Sequence, residues 1–321
     1  MGEFELIRRC FLQARQGPGV VTGIGDDCAV LQVPPGQQLV VSIDTLVEGV
    51  HFLPGTEPSR LATRLLGAAV SDLAATAATP AWLTLALTLP SGDADWLEPF
   101  AAALAQRAAE LGISLVGGDT TRGATLTLSA QVHGLVEQGQ ALLRCGARAG
   151  DRILVSGTLG DSRAGLETLL KPQAVDADRA WLQQRFFRPE PRLELARHLR
   201  PRLQAGLDIS DGLLADLTHL LNASGLGATV DCARLPLSPA LQRIFPDQAE
   251  AWALSGGEDF ELCLAVAPDQ VTACQAEAQR LGVPLTDVGE FQTREGLRVR
   301  GADGRLLEGL HQGYDHFKEH A

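Results

Sequence analysis

No apolar run in this chain reaches the roughly 18 residues that a membrane-crossing helix needs, so contact with a membrane is not expected. Lysine is scarce, and none occurs before Lys171. Acidic residues outnumber basic ones by 39 to 27, for a formal net charge of −12. That balance speaks against a nucleic-acid surface. No CxxC pair occurs among Cys10, Cys28, Cys145, Cys232, Cys263 and Cys274. A zinc site is therefore not expected. Most of these thiols sit in apolar runs and read as buried and free, in a reducing compartment such as the cytoplasm. The loop GxxxxGK[ST] is missing, as is a kinase-type GxGxxG with its partner lysine, which excludes those two phosphate-binding devices. The opening residues, MGEFELIRRC, carry acids and no apolar centre, so they are not a secretion signal. Leu6 stands where N-myristoylation needs Ser or Thr.

What is present is a 321-residue chain with 45% apolar residues, enough for two domains with cores of their own. Helical spacing is expected over residues 3–16, with Phe4, Ile7, Phe11 and Leu12 on one side. GIGDDCAVL follows at 23–31, leading into a strand. A strand over Leu39–Ile43 ends in Asp44-Thr45, and EGVHF lies at 48–52. Helices are expected over 59–78 and 95–111, with strands over 82–89 and 124–136. Between them Ile113–Val116 reads as a short strand. Gly117-Gly118-Asp119-Thr120-Thr121-Arg122 then reads as a turn, since glycine bends easily and lets a backbone approach a ligand. The turn-rich Gly146–Asp151 sets a boundary, giving domains 1–145 and 146–321. The second begins with a strand at 152–156, then GTLGDS at 157–162 before a helix. LDISDG at 207–212 precedes an amphipathic helix, and GGED lies at 256–259. Alternating strands and helices indicate α/β or α+β layers. Ser71-Asp72 stands 47 residues before Asp119, as Ser210-Asp211 stands 47 before Glu258, which raises the question of related halves.

The acids gather beside glycines at expected strand ends: Asp26 and Asp27, Asp44, Asp72, Asp119, Asp208 and Asp211. Singly, each reads as a cap or turn residue. Together, in a chain with no His or Cys ligand motif, they suit Mg²⁺, which takes one or two carboxylates and completes its shell with water and phosphate. On extended backbone Asp26 and Asp27 point opposite ways, so only one of them meets a metal directly. GTLGDS opens a helix and is a possible anion site. Arg144 lies beside the boundary, within reach of a phosphate. His51, seven residues after Asp44, is a possible substrate contact. Tyr314, the only tyrosine, sits in the tail GYDHF, where a ring either packs on the fold or covers a flat or cationic ligand.

GIGDDCAV, SIDTLVEGVHF, SDLAA, WLTLALTLP, GGDTTRG, LVSGTLGDS, DISDGL, LSGGEDFEL and GYDHF occur in this order. The ordered set, spanning Gly2 to Phe317, resembles the thiamine-monophosphate kinase family, which shares a superfamily with aminoimidazole ribonucleotide synthetase and selenophosphate synthetase. The resemblance implies two α/β domains, the N-terminal sheet forming a homodimer interface. It implies ATP-dependent phosphorylation of thiamine monophosphate to thiamine diphosphate, with ATP and several Mg²⁺ ions in a cleft between the domains. It assigns Asp27, Ser42, Asp44, Asp72, Asp119, Asp208 and Asp211 to metal, and Gly118, Asp119, Arg144 and Ser210 to the nucleotide. His51, Glu258 and Tyr314 are assigned to the thiamine phosphate. Ile43 departs from the pattern where relatives carry Thr, so only its carbonyl is available as a ligand. The rivals are another enzyme of the superfamily, a non-catalytic nucleotide-binding regulator and an Mg²⁺-dependent phosphatase. The lack of lysine near the N-terminus speaks against a selenophosphate synthetase.

Overall fold

The computed structural model describes residues 10–11, 17–171, 173–174, 176–307 and 313. The helix expected over 3–16 falls outside these apart from Cys10 and Phe11, and Tyr314 falls outside them as well. The chain divides into two compact units: Met1–Leu73 with Ala78–Ala141, and Ala74–Ala77 with Leu142–Ala321.

The first unit holds a small antiparallel pair, β1 (Val20–Thr22) and β2 (Val30–Leu31), and a four-stranded sheet. The sheet contains β3 (Gln37–Val47), β4 (Thr79–Leu89), β5 (Ser114–Arg122) and β6 (Thr127–Glu137), in the order β3-β6-β4-β5. Alternate residues of its strands are buried: Leu83, Leu85, Leu87 and Leu89 on β4, and Leu128, Ala130 and Val132 on β6. Two helices supply the matching apolar surface. α1 (Pro58–Ala75) buries Leu61, Leu65, Leu66 and Leu73, and α2 (Ala94–Leu111) buries Leu97, Phe100 and Leu104. α2 starts where the Asp93 carboxylate accepts the Asp95 amide at 3.0 Å, and it ends at Gly112 in the left-handed region.

The second unit is built on a seven-stranded sheet. Its strands are β7 (Arg152–Ser156), β8 (Leu203–Ile209), β9 (Gly227–Asp231), β10 (Glu261–Val266), β11 (Leu285–Gln292), β12 (Gly296–Arg300) and β13 (Leu306–Leu307). Their order is β13-β12-β9-β11-β7-β10-β8, antiparallel except between β12 and β9. Every residue of β10 is buried, as expected for a strand covered on both faces. One face carries Ile153, Val155, Leu207 and Ile209 against Leu213, Leu217 and Leu220 of the helix Leu213–Ser224. The other carries Leu154, Leu262 and Leu264 with Leu195 and Leu199 of the helix Leu193–Leu199 and Ala278 of the helix Val271–Arg280. The helices of this unit are α3 (Asp161–Leu170), α4 (Ala177–Phe187), α5 (Leu193–Leu199), α6 (Leu213–Ser224), α7 (Pro239–Ile244), α8 (Ala249–Ser255) and α9 (Val271–Arg280).

Three expectations need correction. β5 does not stop at Val116: it continues through GGDTTR, because Gly117 to Arg122 pair in parallel with Thr84 to Leu89 of β4. Gly118 is needed there for contact rather than bending, since a Cβ would lie 2.0 Å from the Leu85 carbonyl oxygen. β3 likewise runs past Ile43, so Asp44 lies inside a strand. Finally, Cys28 and Cys145 are exposed rather than buried, since both lie in loops rather than apolar elements.

Candidate functional site

In the first unit the strand pleat does most of the placing. Ser42 and Asp44 are two residues apart on β3 and so share a face with the buried Leu46. Asp72 reaches this face from α1, and the Ser42 hydroxyl donates a short hydrogen bond to its Oδ2. Ser42 and Asp72 are thus brought together, with Asp44 two residues along the same strand face. Asp44 pairs with Ala130, Ala130 with Leu85, and Leu85 with Gly118. Gly118 is therefore in the same cross-strand row as Asp44, and Asp119 one row further. Three strand spacings separate them, about 14 Å, so Asp119 does not join the Ser42–Asp72 pair. It lines a separate small cavity of about 60 Å³ with Gly117, Gly118, Thr120, Leu85, Leu87, Leu115, Ile24 and Phe11.

Asp26 forms an isolated bridge with Ile24, and Asp27 after it lies in a bend rather than on the extended backbone expected for both. The Asp26 carboxylate accepts the Asp27 amide at 2.8 Å, and the Asp27 side chain is exposed. His51 sits in the loop after β3, where its Nδ1 accepts the Val47 amide at 3.0 Å. That bond places the proton of the neutral ring on Nε2. Buried Arg64 of α1 donates to the His51 carbonyl at 3.1 Å, pinning the same loop.

In the second unit the turn after β8 carries Ser210 and Asp211, while Asp208 is a buried strand residue in the row of Leu262. Glu258 is held against this turn, its amide donating to the Ser210 carbonyl at 2.6 Å. Both Glu258 (φ 69°) and Phe260 (φ 52°) have left-handed backbone. For residues with a Cβ this is strained and is tolerated where packing over-determines it. Gly257 between the two loops admits no side chain, since a Cβ would meet the Ser210 carbonyl at 2.7 Å. Arg144 is exposed.

The sequence reading missed the buried acids behind these loops. Asp216, in the first turn of α6, accepts the amides of Ser210, Asp211 and Gly212 on one oxygen at 2.9, 2.9 and 3.1 Å. Burial pushes its pKa up to about 7. Its signal was an acid on the apolar stripe of a helix, four residues before Leu220. Asp259 accepts the amides of Gly160 and Ser162 at 2.7 and 3.2 Å. The helix N-terminus at GTLGDS, read as a possible anion site, is therefore already filled by the protein's own carboxylate. Burial, and then the nearby Asp161, push the Asp259 pKa well up. Glu261 is fully buried and accepts from Ser156, Arg185 and Arg192. Burial raises its pKa, but the Arg192 and Arg185 charges outweigh that and hold it below the usual range.

The donors in these sets are carboxylates and a hydroxyl. Among the described residues no three His, Cys, Asp or Glu side chains converge as a metal cage. Sparse oxygen donors fit Mg²⁺, which keeps several waters, and do not fit zinc.

Residues 25–136 match the N-terminal domain of AIR synthase related proteins, and residues 148–302 match the C-terminal domain. The thiamine-monophosphate kinase of Salmonella typhimurium is 48% identical, with 98% of each chain covered. The chain belongs to the thiamine-monophosphate kinase family. The crystal structure of the Stenotrophomonas maltophilia member superposes with a TM-score of 0.84 at 41% identity, covering 95% of this chain and 96% of that one. AaThiL, solved as a complex with AMPPCP and TMP, gives a TM-score of 0.78 at 31% identity over 89% of each chain. The two-domain α/β architecture is that of the family. No helix among the described residues is long and apolar enough to cross a membrane.

Proposed function

We propose that this protein transfers the γ-phosphoryl group of ATP to the phosphate of thiamine monophosphate, giving ADP and thiamine diphosphate. Likeness along nearly the whole chain to thiamine-monophosphate kinases is the observation that carries this reading. The complex of AaThiL with AMPPCP, an ATP analogue, and TMP supports the substrate pair. Asp27, Ser42, Asp44, Asp72, Asp119, Asp208 and Asp211 are the proposed metal residues. Gly118, Asp119, Arg144 and Ser210 serve the nucleotide. His51, Glu258 and Tyr314 serve the thiamine phosphate, with Glu258 facing its thiazolium cation.

The acceptor is already an oxyanion, so the protein needs no strong base and no nucleophile. The obstacle is repulsion, about 4 kcal/mol for two unit charges 4 Å apart at an effective dielectric near 20. Mg²⁺, when bound, neutralises the approaching phosphates and favours in-line transfer. The acidic side chains hold and orient, and the His51 Nε2 proton and the Arg144 guanidinium donate to phosphate oxygens. With γ-labelled ATP, the label is expected in thiamine diphosphate and never on the protein. A labelled protein that passes its label to thiamine monophosphate overturns direct transfer.

Thiols buried in the fold at Cys232, Cys263 and Cys274 suit a reducing compartment such as the cytoplasm. The protein works as a homodimer paired through the first unit's sheet. Edge strand β3 turns Leu39, Val41 and Ile43 outward, 45, 48 and 60% exposed, an apolar stripe that a second copy would cover. Ile43→Lys is expected to shift sedimentation from dimer to monomer. A parent chain that sediments as a monomer at micromolar concentration contradicts the dimer.

A further inference from the structure

Asp216 has no part in the roles proposed above, yet three consecutive amides, those of Ser210, Asp211 and Gly212, converge on its Oδ2. Successive amides aimed at one point form a nest that suits an anion. Here the anion is a side chain from the helix that follows the turn, 3% exposed. The turn has little freedom of its own to settle this way. Gly212 has φ 113°, and a Cβ there would lie 2.8 Å from the Ser255 backbone. On its other side the turn is fixed by the Glu258 amide on the Ser210 carbonyl. Asp216 therefore grips from within the same residues that the GGED loop grips from outside.

We propose that Asp216 is a positioning residue: it holds the 210–212 turn so that Ser210 and Asp211 face metal and nucleotide, and so that Glu258 keeps its place against Ser210. This rests on the roles proposed above for Ser210, Asp211 and Glu258. A carboxylate oxygen can accept several donors at once, as Asp216 Oδ2 does here at 2.9, 2.9 and 3.1 Å. Asparagine keeps the size and one acceptor oxygen but loses the charge, and its NH₂ group repels the amides if it turns toward them. Groups that orient metal ligands typically cost 10- to 100-fold in metal affinity when replaced.

The test is Mn²⁺ binding to the full chain in the presence of AMPPCP, followed by electron paramagnetic resonance, with thermal unfolding measured in parallel. Asp216→Asn is expected to weaken Mn²⁺ binding about tenfold or more while still unfolding cooperatively. Asp216→Glu, which keeps the charge on a longer arm, is expected to recover part of the loss, a rescue that mere space-filling would not produce. If Asp216→Asn fails to fold, Asp216→Glu decides: Mn²⁺ affinity equal to the parent's overturns the proposal, and weakened affinity supports it. Asp211→Asn separates the two levels of the argument. If it weakens Mn²⁺ binding and Asp216→Asn does not, the positioning role alone is wrong. If neither changes Mn²⁺ binding, the metal role of the turn fails and the positioning role fails with it.

Discussion

Asp72→Asn is expected to lower kcat by about 100-fold or more, the scale seen when one pre-placed electrostatic group is removed from a reaction centre. Asparagine occupies the same volume and still offers an oxygen to the Ser42 hydroxyl, which now bonds Asp72 Oδ2. The hydrogen bond between β3 and α1 survives, so the melting temperature should move by no more than about 3 °C, less than 1–2 kcal/mol at this size. What is lost is the negative charge on the face that Asp44 shares. More Mg²⁺ should then be required for half-maximal turnover. A variant that turns over within threefold of the parent at the same Mg²⁺ would remove Asp72 from the metal set.

Glu261→Gln acts on stability. Glu261 Oε1 accepts from Arg185 at 2.8 Å, and its Oε2 from Arg192 at 2.7 Å and Ser156 at 2.6 Å. Ser156 in turn accepts the Leu262 amide at 2.8 Å, so the network joins the neighbouring strands β7 and β10 of the seven-stranded sheet. Removing the carboxylate charge leaves two half-buried guanidiniums facing a neutral group. Breaking a buried pair from one side costs about 3–5 kcal/mol, which for a unit of this size lowers the melting temperature by roughly 10 °C. Glutamine is close in size, so a cavity does not explain the loss. An unchanged melting temperature would mean that the arginines find other partners. The same network lies beside the Asp259 contact with the GTLGDS loop, so Glu258 presentation should loosen with it. The expected sign is a higher KM for thiamine monophosphate.

The strands and long helices were legible because their apolar periodicity matches their burial, as along β4 and α6. β5 was not read to its end, because glycines next to an apolar run look like a turn from sequence alone. Whether such glycines bend a chain or let two strands approach depends on the neighbouring strand, which here is Leu85 of β4. The Ser42–Asp72 contact could not be read from spacing, as 30 residues and a loop separate the two. The contact between Ser210 and Glu258 joins two motifs that were each visible but unconnected. Asp216, Asp259 and Glu261 escaped notice for a common reason. They lie beside or among apolar residues, and an acid there looks incidental until the amides and arginines it satisfies are seen. Acids beside glycines at strand ends and turns stand out in a sequence, while the buried acids that hold those loops do not.

The central claim is the reaction itself, and product chromatography tests it most directly. The purified chain would be incubated with ATP and Mg²⁺, with and without thiamine monophosphate. ADP and thiamine diphosphate appearing one for one, and only when thiamine monophosphate is present, is the predicted result. ADP formed without thiamine diphosphate, or inorganic phosphate released in place of ADP, would contradict it.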